Sequence, residues 1–193
     1  MRALEPLRDG SGRPEDCELN RLLEDGGFRA LRRDTVRALF AEANARVCER
    51  TEVVSEGERP VLFTAPHNIY LRRDGHQPHA MEEYTTMIAQ RLARQLRGTC
   101  LAWSRPEQRR SELLWALGCH RAAQGQALDP GAALDPHNRD PNYLRREEIG
   151  GNPWFRQMAA LAQRLLEGDE PPPRGPGAAG LALHVDVHGC RDP

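Results

Sequence analysis

The stretch Arg59-Pro60-Val61-Leu62-Phe63-Thr64-Ala65-Pro66-His67-Asn68 decides the fold. It holds an apolar run of strand length that ends in a proline and polar residues, which is typical of a strand buried within a sheet. We therefore predict a β-strand that presents His67 at its carboxyl end.

Further apolar runs of strand length lie downstream, and a helix separates the first of them from this strand. The sequence predicts a helix of about four turns that ends at Gly98, then strands at 99–103 and 181–189. Strands alternating with helices imply parallel βαβ units with helices on the sheet faces. We predict an α/β fold, a three-layer αβα arrangement with a mostly parallel sheet. The apolar face of the first helix is predicted to be Tyr84, Met87, Ile88, Leu92 and Leu96.

The rest of the chain divides by composition. Residues 1–16 are rich in Gly, Pro and charge, which predicts a flexible lead-in. Apolar residues interleaved with charged ones predict an N-terminal helical cover at 17–57. The α/β domain is then 58–193. Within it, 106–117 predicts a helix and 118–143, with its repeated Asp-Pro turns, a long polar loop. Asn152-Pro153 predicts the start of another helix, and 169–180 a linker.

Composition excludes several classes of function. The net charge is -1 and no lysine is present, so general attraction to nucleic acid or anionic membranes and lysine-based chemistry are not expected. No apolar run is long enough to span a membrane. The five cysteines lack CxxC spacing, and the first residues lack a secretory signal. These features favour a cytoplasmic protein with free thiols.

Candidate metal ligands lie at predicted strand ends. His67 and His188 both lie at the carboxyl ends of predicted strands, and the carboxyl ends of parallel strands meet at one edge of a sheet. An acidic residue at Glu82 or Glu83 would complete the set of two imidazoles and one carboxylate that a catalytic zinc ion uses. Each of these residues alone is also compatible with a purely structural role. Asp186 could accept a hydrogen bond from His188, and His76 and His79 are alternative ligands.

Polar residues beyond the second strand could bind a substrate. Arg105 follows that strand, and Asn138, Arg139, Asp140 and Asn142 cluster in the polar loop. Arginine in a closed site clamps carboxylates or stabilises an oxyanion, although Asx-Pro turns alone would explain the loop's composition. Ser104 has no nucleophile elbow around it, so Ser104-Arg105 is better interpreted as a binding pair or a strand terminus.

Taken in order, five short motifs resemble the N-formylglutamate amidohydrolase family, which is related to zinc carboxypeptidases and desuccinylases. They are PHN at 66–68, EEYT at 82–85, SR at 104–105, NRDPNY at 138–143 and DVHG at 186–189. The resemblance implies a zinc exopeptidase-like fold, with zinc on His67, Glu82 (or Glu83) and His188. It also implies that Arg139, with Asn138, holds a substrate carboxylate or carbonyl oxygen.

The function implied by the resemblance is zinc-dependent hydrolysis of the amide bond of a small N-acylated amino acid such as N-formylglutamate. Related folds continue with strands that supply a general base, so we expect this chain to be incomplete at its C-terminus. Two alternatives stay open. One is a catalytically inactive zinc-binding or interaction domain of the same fold, and the other is a carboxypeptidase-type metallopeptidase.

Overall fold

A four-stranded mixed sheet organises the computed structural model, which describes residues 38, 41–43, 45, 47, 49–123, 125–167 and 183–189. Its spatial order is β1-β3-β2-β4. β2 runs parallel to both β3 and β4, and β1 is antiparallel to β3. The predicted α/β class with a mostly parallel sheet is confirmed. The strands are β1 (Thr51–Ser55), β2 (Val61–Ala65), β3 (Thr99–Trp103) and β4 (Leu183–Asp186).

Helices cover both faces of this sheet. Successive residues of the buried strands alternate between the two faces, so neighbouring residues pack against different helices. The α-helices are α1 (Thr85–Leu96), α2 (Arg105–Ala123) and α3 (Pro153–Glu167). Leu62 of β2 packs in a core cluster with Trp154 and Leu161 of α3, whereas Phe63 packs with Ala89 of α1. The layers are therefore compatible with the predicted αβα arrangement. None of the described helices combines the length and hydropathy needed to cross a membrane.

The packing face of α1 differs from the prediction. Its buried residues are Thr85, Ala89 and Ala93, whereas Met87 and Ile88 are each 46% exposed. Small side chains let the helix approach the sheet closely, and this approach turns the larger apolar side chains of α1 outward. The interpretation of Tyr84, Met87, Ile88 and Leu96 as the core-facing set was wrong.

Two predicted boundaries also change. Thr51–Ser55 forms β1, so the helical interpretation of 17–57 was wrong for these residues. Helix α2 extends to Ala123 and short 3-10 helices lie at Pro130–Ala133 and Pro141–Tyr143, so 118–143 is not one long loop. The predicted lead-in at 1–16, most of the helical cover, the linker at 169–180 and the first two residues of the third strand lie outside the described residues.

Candidate metal centre

His67 lies at the carboxyl edge of the sheet, two residues beyond β2, and is buried with 2% of its surface exposed. The backbone N–H of Glu82 donates to the His67 carbonyl oxygen at 2.8 Å, which returns the chain to this edge. The Glu82 carboxylate then reaches the imidazole, with Oε1 3.3 Å from Nδ1 of His67. Of the two acidic candidates, the structure brings Glu82 to His67, whereas Glu83 is exposed.

His79 joins the same cluster through backbone pairing. Its N–H donates to the Leu71 carbonyl at 2.9 Å, and the Leu71 N–H donates back at 3.2 Å. This pairing places Nε2 of His79 3.4 Å from Oε1 of Glu82 and its ring centroid 4.0 Å from that of His67. One donor atom each from His67, His79 and Glu82 lies within 4.8 Å of the others. These three residues could hold a metal ion.

His188 approaches from the other side of His67. It lies two residues beyond β4, and its Nδ1 is 3.1 Å from Nδ1 of His67. The neighbouring Gly189 N–H donates to Oε2 of Glu82 at 2.8 Å, which fixes this segment against the carboxylate. The structure therefore brings together His67, Glu82 and His188 from the predicted ligand set. The contact between the His188 segment and Glu82 is made by the backbone N–H of Gly189.

The spacing of these donor atoms suits a small tetrahedral ion. Ligand atoms about 2.0–2.1 Å from a tetrahedral zinc ion lie about 3.3–3.4 Å from one another. The measured separations are 3.3 Å for His67 to Glu82, 3.4 Å for His79 to Glu82 and 3.1 Å for His188 to His67. These separations are compatible with a metal ion bound by His67, His79 and Glu82, whose donor atoms all lie within 4.8 Å of one another, and His188 adds a side-chain contact to His67.

Asp140 belongs to the site, although the sequence analysis placed it in the polar loop cluster without giving it a role beside His67. It is fully buried, and its Oδ1 lies 3.2 Å from Nε2 of His67. Burial acts to raise the pKa of Asp140, but hydrogen bonds from His67, the Asn142 N–H and Arg73 outweigh burial and lower the pKa to about 2. An ionised carboxylate here favours the His67 tautomer with its proton on Nε2, which leaves the Nδ1 lone pair for a metal.

Asn142 is the predicted substrate-binding residue that the structure places beside His67. Its side-chain nitrogen lies 3.4 Å from Nε2 of His67, and its backbone N–H donates to Asp140 at 2.9 Å. Arg105 is exposed at the start of α2, where its charge acts on Glu52. Ser104 is buried beside it and donates to the Glu49 carbonyl at 2.6 Å, a structural role at the strand terminus.

Asn138 and Arg139 are committed to other partners. Asn138 is buried, donates to Glu107 and accepts a 2.8 Å hydrogen bond from Arg50. Asn138 therefore belongs to a buried polar network with Glu107 and Arg50, and these contacts occupy the side chain that was predicted to bind substrate. Arg139 donates to Glu148 at 2.5 Å and to Asp74 at 2.6 Å. The hydrogen bond to Glu148 is the main cause that raises the pKa of Arg139.

Asp186 does not support His188 as predicted. Its carboxylate accepts from the Thr64 hydroxyl and lies 3.2 Å from Nε2 of His184. The hydrogen bond with Asp186 is the main cause that raises the pKa of His184. The supporting role predicted for Asp186 falls instead to Asp140, which acts on His67. The sequence signal that could have revealed Asp140 is its place in the same polar loop as Asn142.

Comparisons with protein-family models, curated proteins and solved structures found no match to this chain. The site offers imidazole and carboxylate donors close together, a buried carboxylate on one imidazole, and the guanidinium of Arg73 on that carboxylate. Imidazole and carboxylate donors bind several first-row metal ions, zinc among them.

Proposed function

We propose that the chain is a zinc-dependent amidohydrolase that cleaves the carbon–nitrogen bond of a small N-acylated amino acid such as N-formylglutamate. The observation that carries this proposal is the meeting of His67, Glu82 and His188 at one edge of the sheet. This is the ligand set that the family resemblance implies. The αβα layering is also compatible with the zinc exopeptidase-like fold of that resemblance.

In this proposal the three ligands leave one coordination position for water and substrate. Zinc held there would activate a water molecule and polarise the scissile carbonyl. The chain's own residues orient the site. Asp140 fixes the His67 ring through Nε2, and the Gly189 N–H holds Oε2 of Glu82, so that Oε1 stays beside Nδ1 of His67. Asn142 lies beside the same ring and could donate to a bound substrate.

A second candidate function is favoured by His79. Nε2 of His79 lies 3.4 Å from Oε1 of Glu82, and Nδ1 of His67 lies 3.3 Å from the same oxygen. A fourth protein ligand is therefore available. Zinc with four protein ligands has no open position and stabilises a fold without catalysing a reaction. The alternative is therefore a zinc-binding domain without hydrolase activity.

The test is zinc content together with hydrolysis. We expect about one zinc ion per purified chain, and loss of most of it in His67→Ala and His188→Ala. His184→Ala is the matched control, because His184 lies on β4 four residues before His188 and pairs with Asp186 instead. Unchanged zinc content in both ligand variants would refute the site.

Hydrolysis separates the two candidate functions. Zinc-dependent release of formate from N-formylglutamate, abolished by a chelator and restored by zinc, supports the amidohydrolase. His79→Ala then keeps bound zinc and measurable turnover. A wild-type protein that binds zinc without turnover, and loses affinity in His79→Ala, identifies the closed site instead.

A further inference from the structure

Two arginines lie close to the candidate metal centre and differ in how their charge is used. Arg139 was predicted to clamp a substrate carboxylate, but both of its terminal nitrogens already donate to carboxylates. Its Nη1 donates to Glu148 and its Nη2 to Asp74. A carboxylate ligand would have to displace two charge-assisted hydrogen bonds to reach this guanidinium. Arg139 is thus poorly suited to bind a substrate.

Arg73 presents a different arrangement. It donates through Nε to Oδ2 of Asp140 at 2.6 Å, and its guanidinium lies over the ring of Tyr143, 4.3 Å from the centroid. Tyr143 itself is 47% exposed, so this pair lies at the surface above the buried Asp140. No other ion pair of Arg73 occurs among the described residues. The edge that carries both Nη groups is therefore available for a bidentate carboxylate.

We propose that Arg73, rather than Arg139, binds the carboxylate of the substrate. The inference rests on the proposed amidohydrolase function and names the side chain that recognises its substrate, an acyl amino acid with a free carboxylate. The Nε hydrogen bond and the stacking on Tyr143 hold the guanidinium in one orientation before a ligand arrives. Preorganisation of this kind lowers the entropic cost of binding.

Asp140 joins Arg73 to the candidate metal ligands. Two contacts, 2.6 Å from Arg73 to Asp140 and 3.2 Å from Asp140 to His67, connect them.

The experiment compares Arg73→Gln with Arg139→Gln in hydrolysis of N-formyl-L-glutamate and of its dimethyl ester. The two side chains are equally accessible, at 21% and 22% exposed, so they form a matched pair. We expect Arg73→Gln to raise KM for the diacid about tenfold to a hundredfold, because a charge-assisted contact is lost. KM for the ester should change less than about twofold, and Arg139→Gln should have little effect on either substrate. Arg73→Lys should recover part of the loss.

Two results would overturn the proposal. One is an equal fall in kcat for the diacid and the ester with unchanged KM, which would mean that Arg73 only positions Asp140. The other is a KM effect confined to Arg139→Gln.

Binding of glutarate to the zinc-loaded protein, measured by calorimetry, tests the inference without turnover. We expect wild type and Arg139→Gln to bind glutarate, and Arg73→Gln to bind it at least about tenfold more weakly. Absence of binding to wild type would refute the role of Arg73. If glutarate binding depends on Arg73 but no formyl substrate is hydrolysed, the proposed function fails while the carboxylate site stands.

Discussion

The carboxylate of Asp140 should control the zinc affinity of the site. Asp140→Asn preserves the shape of the side chain but removes the charge that faces His67 at 3.2 Å and Arg73 at 2.6 Å. Its amide could still accept the 2.9 Å hydrogen bond from the Asn142 N–H, so the loop should remain folded. A carboxylate on a metal-bound histidine typically contributes a factor of about 10–100 in metal affinity. That factor corresponds to about 1.4–2.7 kcal/mol.

The assay is competition for zinc against a chromophoric chelator at neutral pH. Asp186→Asn is the control, because Asp186 contacts Thr64 and His184 rather than His67. It should leave the zinc Kd within about twofold of wild type, since surface contacts of this kind contribute little. An unchanged Kd in Asp140→Asn, or an equal loss in Asp186→Asn, would refute the assignment of Asp140 as the support of His67.

Two further predictions concern the buried polar network around Asn138. Asn138→Ala removes one of the side-chain partners of the fully buried Glu107 and should lower the free energy of unfolding by about 1–3 kcal/mol in urea titrations. Glu58→Gln, in an exposed ion pair, should change it by less than about 0.5 kcal/mol, and equal effects would contradict a role for the network. Burial acts to raise the pKa of Asp135, but the N–H of His137 and two arginine side chains outweigh it and lower the pKa. The contribution of Asp135 to stability is therefore complete above its unfolded pKa of about 3.9 and is lost as the pH falls through the folded pKa. Asp135→Asn should flatten the acid limb of a plot of unfolding free energy against pH. A plot that stays parallel to wild type below about pH 4 would exclude this contribution.

The central strands could be predicted from the sequence because their signal is local. Residues buried on both faces of a parallel sheet form continuous apolar runs, as in Val61–Ala65 and Thr99–Trp103. β1 gave a weaker signal, since every residue of Thr51–Ser55 is only half-buried at the edge of the sheet. An edge strand lacks a second neighbour and needs no such run. For this reason it was grouped with the preceding helical residues.

The packing of α1 could not be predicted because hydrophobicity alone does not give the distance between a helix and a sheet. Ala89 and Ala93 are weakly apolar, yet both are fully buried against the sheet. Close approach is possible only where side chains are small. The larger apolar residues of the helix are then displaced toward its outer face.

The two histidines could be predicted because ligands bind beyond the carboxyl ends of parallel strands. The residue that supports His67 could not be predicted in this way. His67 and His188 were predicted because each lies at the carboxyl end of a predicted strand, and in the structure each follows its strand by two residues. Asp140 reaches His67 because the N–H of Arg72 donates to the Asn138 carbonyl and the N–H of Asp140 donates to the Arg72 carbonyl, both at 2.9 Å. These contacts join segments far apart in sequence, so no local pattern records them.

The same contacts give Arg72 and Arg73 different roles. Arg72 uses its backbone to hold the loop that carries Asp140, whereas Arg73 uses its side chain to neutralise the carboxylate. Substitution of the Arg72 side chain therefore leaves both backbone hydrogen bonds in place. Substitution of Arg73 changes the charge beside Asp140, and with it the attraction for any anion that approaches the metal ligands. The side chains of Arg73 and Asp140 therefore contribute charge at this edge of the sheet, and the peptide groups of the two loops fix the positions of both side chains.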